Sequence, residues 1–171
     1  MDQKLCIIAA CTAALAATPA HAAPVSNSDG TARVRILEPL AIFKVDDLDF
    51  GTVVISNTQG GTVTMPSNGN PRSFSGGAEG VPGDPGNRAQ FTVVGNPGQE
   101  IILTHSVPLT LTNAAGDDIL VINMWLNGSP LRTLSPVDGR EQVYLGGTLS
   151  LAADQPEGLY EASFTVTVDY R

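Results

Sequence analysis

From Tyr160 to the C-terminus apolar and polar residues alternate without a slip. Tyr160, Ala162, Phe164, Val166, Val168 and Tyr170 stand against Glu161, Ser163, Thr165, Thr167, Asp169 and Arg171. Successive side chains of a strand point to opposite faces, so this order predicts a core strand with one apolar and one wet side. Aromatic and β-branched residues suit a pleated, half-buried surface. The same alternation recurs upstream. Thr31–Phe43 carries Ala32, Val34, Ile36, Leu40 and Ile42 on one parity, interrupted by Glu38-Pro39. Leu48–Ile55 reads as a strand with a bulge at Gly51. Thr62–Met65, Ala89–Val94, Glu100–His105, Leu109–Thr112, Ile119–Leu126, Val143–Leu145 and Thr148–Leu151 complete the set.

Turn signals separate these runs: Gly95-Asn96-Pro97-Gly98, Gly116-Asp117, Asn127-Gly128, Asp138-Gly139 and Gly146-Gly147. No segment holds a helical apolar stripe for long. Many short strands between frequent turns predict an all-β chain, a single Ig-like antiparallel β-sandwich. One stretch breaks the rhythm. Ser67–Arg88 is rich in glycine and proline and offers little to bury, so it reads as a long exposed loop. Such a loop is either a functional surface or a tolerated insertion.

The front of the chain bears on compartment. Lys4 precedes an apolar run from Leu5 to Ala17, and Ala20-His21-Ala22 has the form of a signal-peptidase site. The expected organisation is a cleaved signal peptide over 1–22, an N-terminal extension over 23–43 and a β-sandwich over 44–171. Ile8-Ala9-Ala10-Cys11 offers a competing lipobox-like site, with a shorter apolar run before it. Cleavage after Ala22 removes Cys6 and Cys11, which leaves no thiol for disulfides, nucleophilic catalysis or metal binding. The whole chain has 17 acidic against 9 basic residues, a formal charge of −8. An acidic chain without a basic cluster argues against nucleic acid as a partner.

Candidate chemistry is sparse. His105 is the one histidine beyond the leader, in an alternating segment that suits a surface or hydrogen-bonded imidazole. Asp46, Asp47 and Asp49 crowd together but lack the spacing of a calcium loop, so a solvated turn is the simpler reading. Trp125 has Ile119 and Val121 on its own parity and reads as a half-buried sheet residue, with sugar stacking as the alternative. No G-x-S-x-G, H-E-x-x-H or Walker-type motif occurs. The chain reads as a non-enzyme without a cofactor.

The C-terminal segment, with Gly158, the alternating residues and the penultimate Tyr170, resembles the end of chaperone–usher fimbrial subunits. Pro39-Leu40, Leu48-Asp49-Phe50-Gly51, Gly60-Gly61-Thr62-Val63-Thr64, Ala89-Gln90-Phe91 and Gly146-Gly147-Thr148-Leu149 add a second likeness. They are similar to motifs of a family of small exported Gram-negative proteins of unassigned function, itself like spore coat U domains. The resemblance implies a pilin-like sandwich. It also implies a structural subunit of a surface fimbria or similar polymer, exported through the periplasm to the cell surface. A periplasmic chaperone and an outer-membrane usher would be its partners, along with copies of itself or related subunits. Gly158, Tyr160, Ala162, Phe164, Val166, Val168 and Tyr170 would then form the chaperone and subunit interface. Ala32, Val34, Ile36, Leu40 and Ile42 would form a strand donated to a neighbour. Many pilins carry a disulfide early in the domain, which this chain lacks. The alternative is a self-sufficient exported binding module, for example for glycans, using the Ser67–Arg88 loop.

Overall fold

The computed structural model describes residues 30–171; the signal peptide expected over 1–22, and residues 23–29, lie outside them. The chain divides into two units, residues 1–35 and residues 36–171, and the second carries the fold. It is all-β, with antiparallel sheets packed in a sandwich-like arrangement.

Twelve strands follow in chain order. They are β1 (Ala41–Asp46), β2 (Val53–Ile55), β3 (Gly61–Met65), β4 (Ser73–Gly76), β5 (Ala78–Gly80) and β6 (Ala89–Val94). Then come β7 (Glu100–His105), β8 (Thr110–Thr112), β9 (Asp118–Leu126), β10 (Leu131–Thr133), β11 (Arg140–Leu151) and β12 (Val166–Tyr170). The larger sheet is organised on β11. Its first half pairs with β6 and its second half with β3, while β9 runs along the opposite edge. Leu145 pairs with Ala89 on one side and Leu126 on the other, and Gly147 pairs with Met65. Strands β3 and β6 therefore lie end to end along one edge of β11, and the chain leaves that line at Met65 and rejoins it at Ala89. The smaller sheet runs β10-β7-β12, and β2 pairs with β5 as a separate ribbon.

The core between the sheets draws Phe91 and Val93 from β6, Ile101 and Leu103 from β7, Val121 and Met124 from β9, and Val143 and Leu145 from β11. Val63 of β3 and Leu134 join them. Each of these side chains contributes roughly 1.5–3 kcal/mol by leaving water. Arg132 ties β10 to the larger sheet. Its guanidinium donates to the Asn127 and Gln142 carbonyls at 2.6 and 3.1 Å and pairs with Glu141 at 2.9 Å.

Several elements depart from the sequence reading. Gly146-Gly147 is no turn: β11 runs unbroken through it for 12 residues. The core-facing parity of Val143 and Leu145 continues at Gly147 and Leu149, and Gly146 faces the other way. A Cβ on Gly146 would stand 2.2 Å from the Met65 carbonyl oxygen and 2.5 Å from the Ser67 nitrogen, because the departing chain crosses there. Glycine is what allows that crossing.

Ser67–Arg88 is likewise not a structureless loop. It carries β4, paired to β3, and β5, paired to β2. Its strands approach so closely that a Cβ on Gly76 would lie 2.3 Å from the Gly60 oxygen. Backbone hydrogen bonding organises this segment, so side-chain alternation carries little trace of it.

In β9 the pairing shifts register, with Thr148 opposite Asn123 but Leu149 opposite Val121. Ile122 is the extra residue. This bulge turns Met124 inward and places Trp125 on the face opposite Ile119 and Val121. The region around Gly51 is a turn at φ +64°, with its amide bonded to the Asp49 carboxylate at 2.7 Å, so only Val53–Ile55 is strand. Finally, β1 starts at Ala41, so Ile42 pairs with Val93 and Leu40 packs on the domain's own core. The extension expected over 23–43 therefore overlaps the domain, since residues 40–43 belong to the sandwich and the compact unit begins at residue 36.

Candidate functional site

Two strands leave an edge without a partner on the same side of the molecule. Among the described residues β1 pairs only with β6, and β12 pairs only with β7. Their near ends are joined through Tyr170. Its hydroxyl donates to the Glu38 carbonyl and accepts from the Asn96 amide, both at 2.7 Å. Gly95 makes room, since a Cβ there would lie 2.7 Å from that hydroxyl. β1 thus begins where β12 ends, and the two run antiparallel without bonding to each other.

Away from the Tyr170 tie the two walls enclose an apolar cleft. Leu48 and Phe50, following β1, form one wall, and Ala162 and Phe164, preceding β12, form the other. Val121, Met124 and Leu149 supply its floor, with Pro108 and Leu111 beside them. Below Phe164 lies the Phe91 ring, edge-on at 6.2 Å and 78°, a favourable aromatic geometry.

The C-terminal residues keep the parity read from the sequence, although none of them is fully buried. Tyr160, Phe164, Val166, Val168 and Tyr170 are half-buried, and Ala162 is exposed. Val166 and Val168 pair with His105 and Leu103 of β7. Glu161 forms only an isolated bridge to Thr112, so the strand proper covers Val166–Tyr170. The Tyr160 hydroxyl donates to the Pro156 carbonyl at 2.7 Å. Gly158 has φ +153°, close to the Asn113 side chain, a conformation that favours glycine. The half-burial has a local cause: these side chains have a core beneath them but no neighbouring strand along their outer edge.

Among the expected donor residues, Ala32, Val34 and Ile36 stand apart from Leu40 and Ile42. Residues 30–40 take no strand pairing, and Val34 and Ile36 are each 87% exposed. These two side chains stand at alternate positions of an unpaired segment and are about as bare as Leu109 and Val137 elsewhere on the surface.

The remaining candidates resolve into local structure. The His105 Nε2 lies 3.2 Å from the Met124 carbonyl oxygen, a satisfied imidazole. Asp47 pairs with Lys44 at 2.7 Å and Asp49 caps the Gly51 amide, so the two carboxylates are spent separately. Among the described residues no three His, Cys, Asp or Glu side chains gather as a metal group. Sequence reasoning missed the role of Tyr170 as the tie between strand ends; its penultimate place and half-apolar character were the available signals.

Removing that tie tests the arrangement. Tyr170→Phe is expected to cost about 1–3 kcal/mol, since it leaves the Asn96 amide and Glu38 carbonyl without this partner. Urea midpoints would read it, and an unchanged midpoint would show that the ends are held by packing alone.

Fold and cleft together define an all-β sandwich that leaves two strand edges open beside an apolar groove. Residues 40–170 match the family described as Domain of unknown function (DUF4402), and the chain belongs to that family. No curated protein and no solved structure matches it.

Proposed function

We propose that the chain is a structural subunit of a surface fimbria or similar extracellular polymer. The segment around Ala32, Val34 and Ile36 of one copy enters the groove of the next. The observation that carries this reading is the pair of strand edges, β1 and β12, that find no partner among the described residues. They lead into a small apolar cleft between Leu48 and Phe50 on one side and Ala162 and Phe164 on the other. An added strand satisfies such an edge with main-chain hydrogen bonds, while alternate side chains fill the pockets. Val34 and Ile36 would each gain roughly 1.5–3 kcal/mol on full burial.

Charge supports the same match. Arg33 and Arg35 alternate with the apolar residues, and Asp46 of β1, Asp169 of β12 and Glu161 are exposed acids on or next to the two edges. Opposite charges across adjacent strands contribute about 0.2–1 kcal/mol each. The remainder of the reading follows from the resemblance of the C-terminal segment: export by the leader, capture of the groove by a periplasmic chaperone, and delivery through an outer-membrane usher. An unfilled groove beside an open edge is an aggregation hazard, which gives the chaperone its physical task.

A synthetic peptide of residues 30–38 added to protein lacking residues 23–36 tests the groove. Binding to the folded state raises the melting temperature as the free peptide concentration exceeds its dissociation constant. The peptide is expected to stabilise, and the same peptide with Val34→Asp and Ile36→Asp is expected to do nothing. Equal behaviour of the two peptides would contradict strand donation.

A further inference from the structure

The chain that leaves the sheet at Met65 and returns at Ala89 lies over Tyr144 and Gly146, on the face turned away from the core. It encloses a cavity of about 420 Å³, within the range of small-molecule sites. Its lining shares no residue with the groove described above. In a chain of formal charge −8 the cavity is lined by two arginines, Arg72 and Arg88, and by no carboxylate.

Neither arginine forms a salt bridge among the described residues, although Arg72 has the Asp84 carboxylate within electrostatic reach. The ion pairs among the described residues are Lys44–Asp47, Arg132–Glu141 and Arg171–Glu100. Arg72 donates to the carbonyls of Phe50, Val81 and Asp84, and its guanidinium lies 5.0 Å from the Phe74 ring centre. The Asp84 carboxylate is hydrogen-bonded to Thr52 rather than to Arg72. The Thr52 hydroxyl and amide donate to it at 2.6 and 2.7 Å, and these bonds hold its pKa below the ordinary value, with the Arg72 charge adding to the lowering.

Arg88 is the more open of the two. Its guanidinium stacks 3.7 Å from the centre of the Tyr144 ring. Gly69 packs so close that a Cβ there would stand 3.0 Å from Nη1. Of its N–H groups, only Nη1 finds a protein acceptor among the described residues, the Ser67 carbonyl at 2.8 Å. A planar cation held rigid, with Nε and Nη2 unspent, is preorganised for a bidentate carboxylate.

The rest of the lining points to what carries that carboxylate. Pro66, Pro71 and Pro85 give the cavity flat apolar walls. Asn70 adds a carboxamide that finds no hydrogen-bond partner among the described residues, its backbone amide alone bonding to Asn68. Apolar planes for ring CH groups, an amide for hydroxyls and a fixed guanidinium for an acid suit one ligand chemistry. We propose that this cavity binds a carboxylated sugar, such as a uronic acid unit of a surface glycan. Recognition rests on the Arg88 guanidinium, with Arg72 adding positive potential and Asn70 a hydroxyl contact. The inference does not depend on strand donation, since the two sites use different residues.

Titration of the purified protein with D-glucuronate, followed by the amide and arginine Nε–H signals in NMR, tests it. Saturable shifts are expected at Arg88, Arg72 and Gly69, with a dissociation constant near the millimolar range, about 1–10 mM for a single sugar. D-glucose at equal concentration is expected to leave those signals in place. Arg88→Gln should weaken glucuronate binding by about tenfold or more, the loss of a bidentate charged contact. Should that variant disturb the loop, Asn70→Ala leaves every internal bond intact and is expected to weaken glucuronate roughly two- to fivefold. Absence of shifts at these residues, equal shifts with glucose, or equal shifts with inorganic phosphate would each overturn the proposal, the last by showing a bare anion site.

Discussion

Gly146→Ala is expected to destabilise the domain by roughly 3 kcal/mol or more, and Gly147→Ala by only about 1 kcal/mol. The two glycines are adjacent in the sequence, yet they face opposite sides of β11. A methyl on Gly146 would meet backbone on every side, with the Met65 oxygen at 2.2 Å, the Ser67 nitrogen at 2.5 Å and the Pro66 carbonyl carbon at 2.9 Å. Backbone cannot swing aside as a side chain does, so either β11 or the Pro66–Ser67 crossing must shift. Gly147 meets the Asn123 oxygen at 3.1 Å, the Met124 Cγ at 3.2 Å and the Phe50 Cζ at 3.3 Å. Two of those three atoms belong to side chains that can give by a few tenths of an ångström. Were the pair a hairpin turn, neither substitution would be singled out in this way. Urea midpoints of the two variants decide the matter, and comparable losses would contradict the continuous strand.

Phe91→Ala is expected to cost about 3–5 kcal/mol, a large share of a typical domain's stability. Phe91 is buried at the centre of β6, between β1 and β11, and supports the Phe164 ring from below. Its loss opens a cavity in the core and removes the edge-on support of the Phe164 ring in the groove wall. Phe164→Ala should cost less, roughly 1.5–3 kcal/mol, because that ring is only half-buried in the unfilled groove. The alternation read from the sequence ranks Phe164 with the core. Half-burial lowers it, and the order of the two denaturant midpoints distinguishes the cases. A Phe164→Ala variant as damaged as Phe91→Ala would mean that the groove is closed in solution.

Strand identity was most legible where side-chain alternation and pairing coincide. β6 alternates Ala89, Phe91 and Val93 inward with Gln90, Thr92 and Val94 outward, and its bounds match the sequence reading. β7 behaves likewise, whereas β12 keeps the parity but is strand only over Val166–Tyr170, shorter than the reading from Tyr160. Legibility failed where backbone geometry acts without a side-chain signature. The bulge at Ile122 reversed the faces of Met124 and Trp125, and a period-two reading has no means of detecting one inserted residue. β4 and β5 pair through a glycine-rich backbone, so their composition imitated a loop. Leu131–Thr133 is too short to alternate, and Arg132 rather than an apolar residue fixes it.

The groove was partly legible. The parity of the C-terminal residues marked one wall, and the parity of Ala32, Val34 and Ile36 marked a segment with an apolar face. What the sequence lacked was the point where that segment stops and the domain begins. Leu40 and Ile42 share its parity, yet Pro39 separates them, and the pairing of Ile42 with Val93 commits them to the domain. Only the three-dimensional pairing reveals which half of a continuous pattern is at home.

Strand donation requires the groove to be completed by the N-terminal segment of another copy. The most direct measurement compares three proteins by sedimentation and thermal unfolding: the chain beginning at Ala23, the chain lacking residues 23–36, and that shortened chain with residues 23–36 joined after Arg171 by a flexible linker. The deletion ends well before β1, so the sheet pairing of Ile42 is untouched. The first protein is expected to self-associate as its concentration rises, and the second to remain unassociated with a lowered melting temperature. The third should be a monomer with a higher melting temperature than the second, its groove filled by its own tail. A first protein that stays monomeric at high concentration, with a third no more stable than the second, would contradict strand donation.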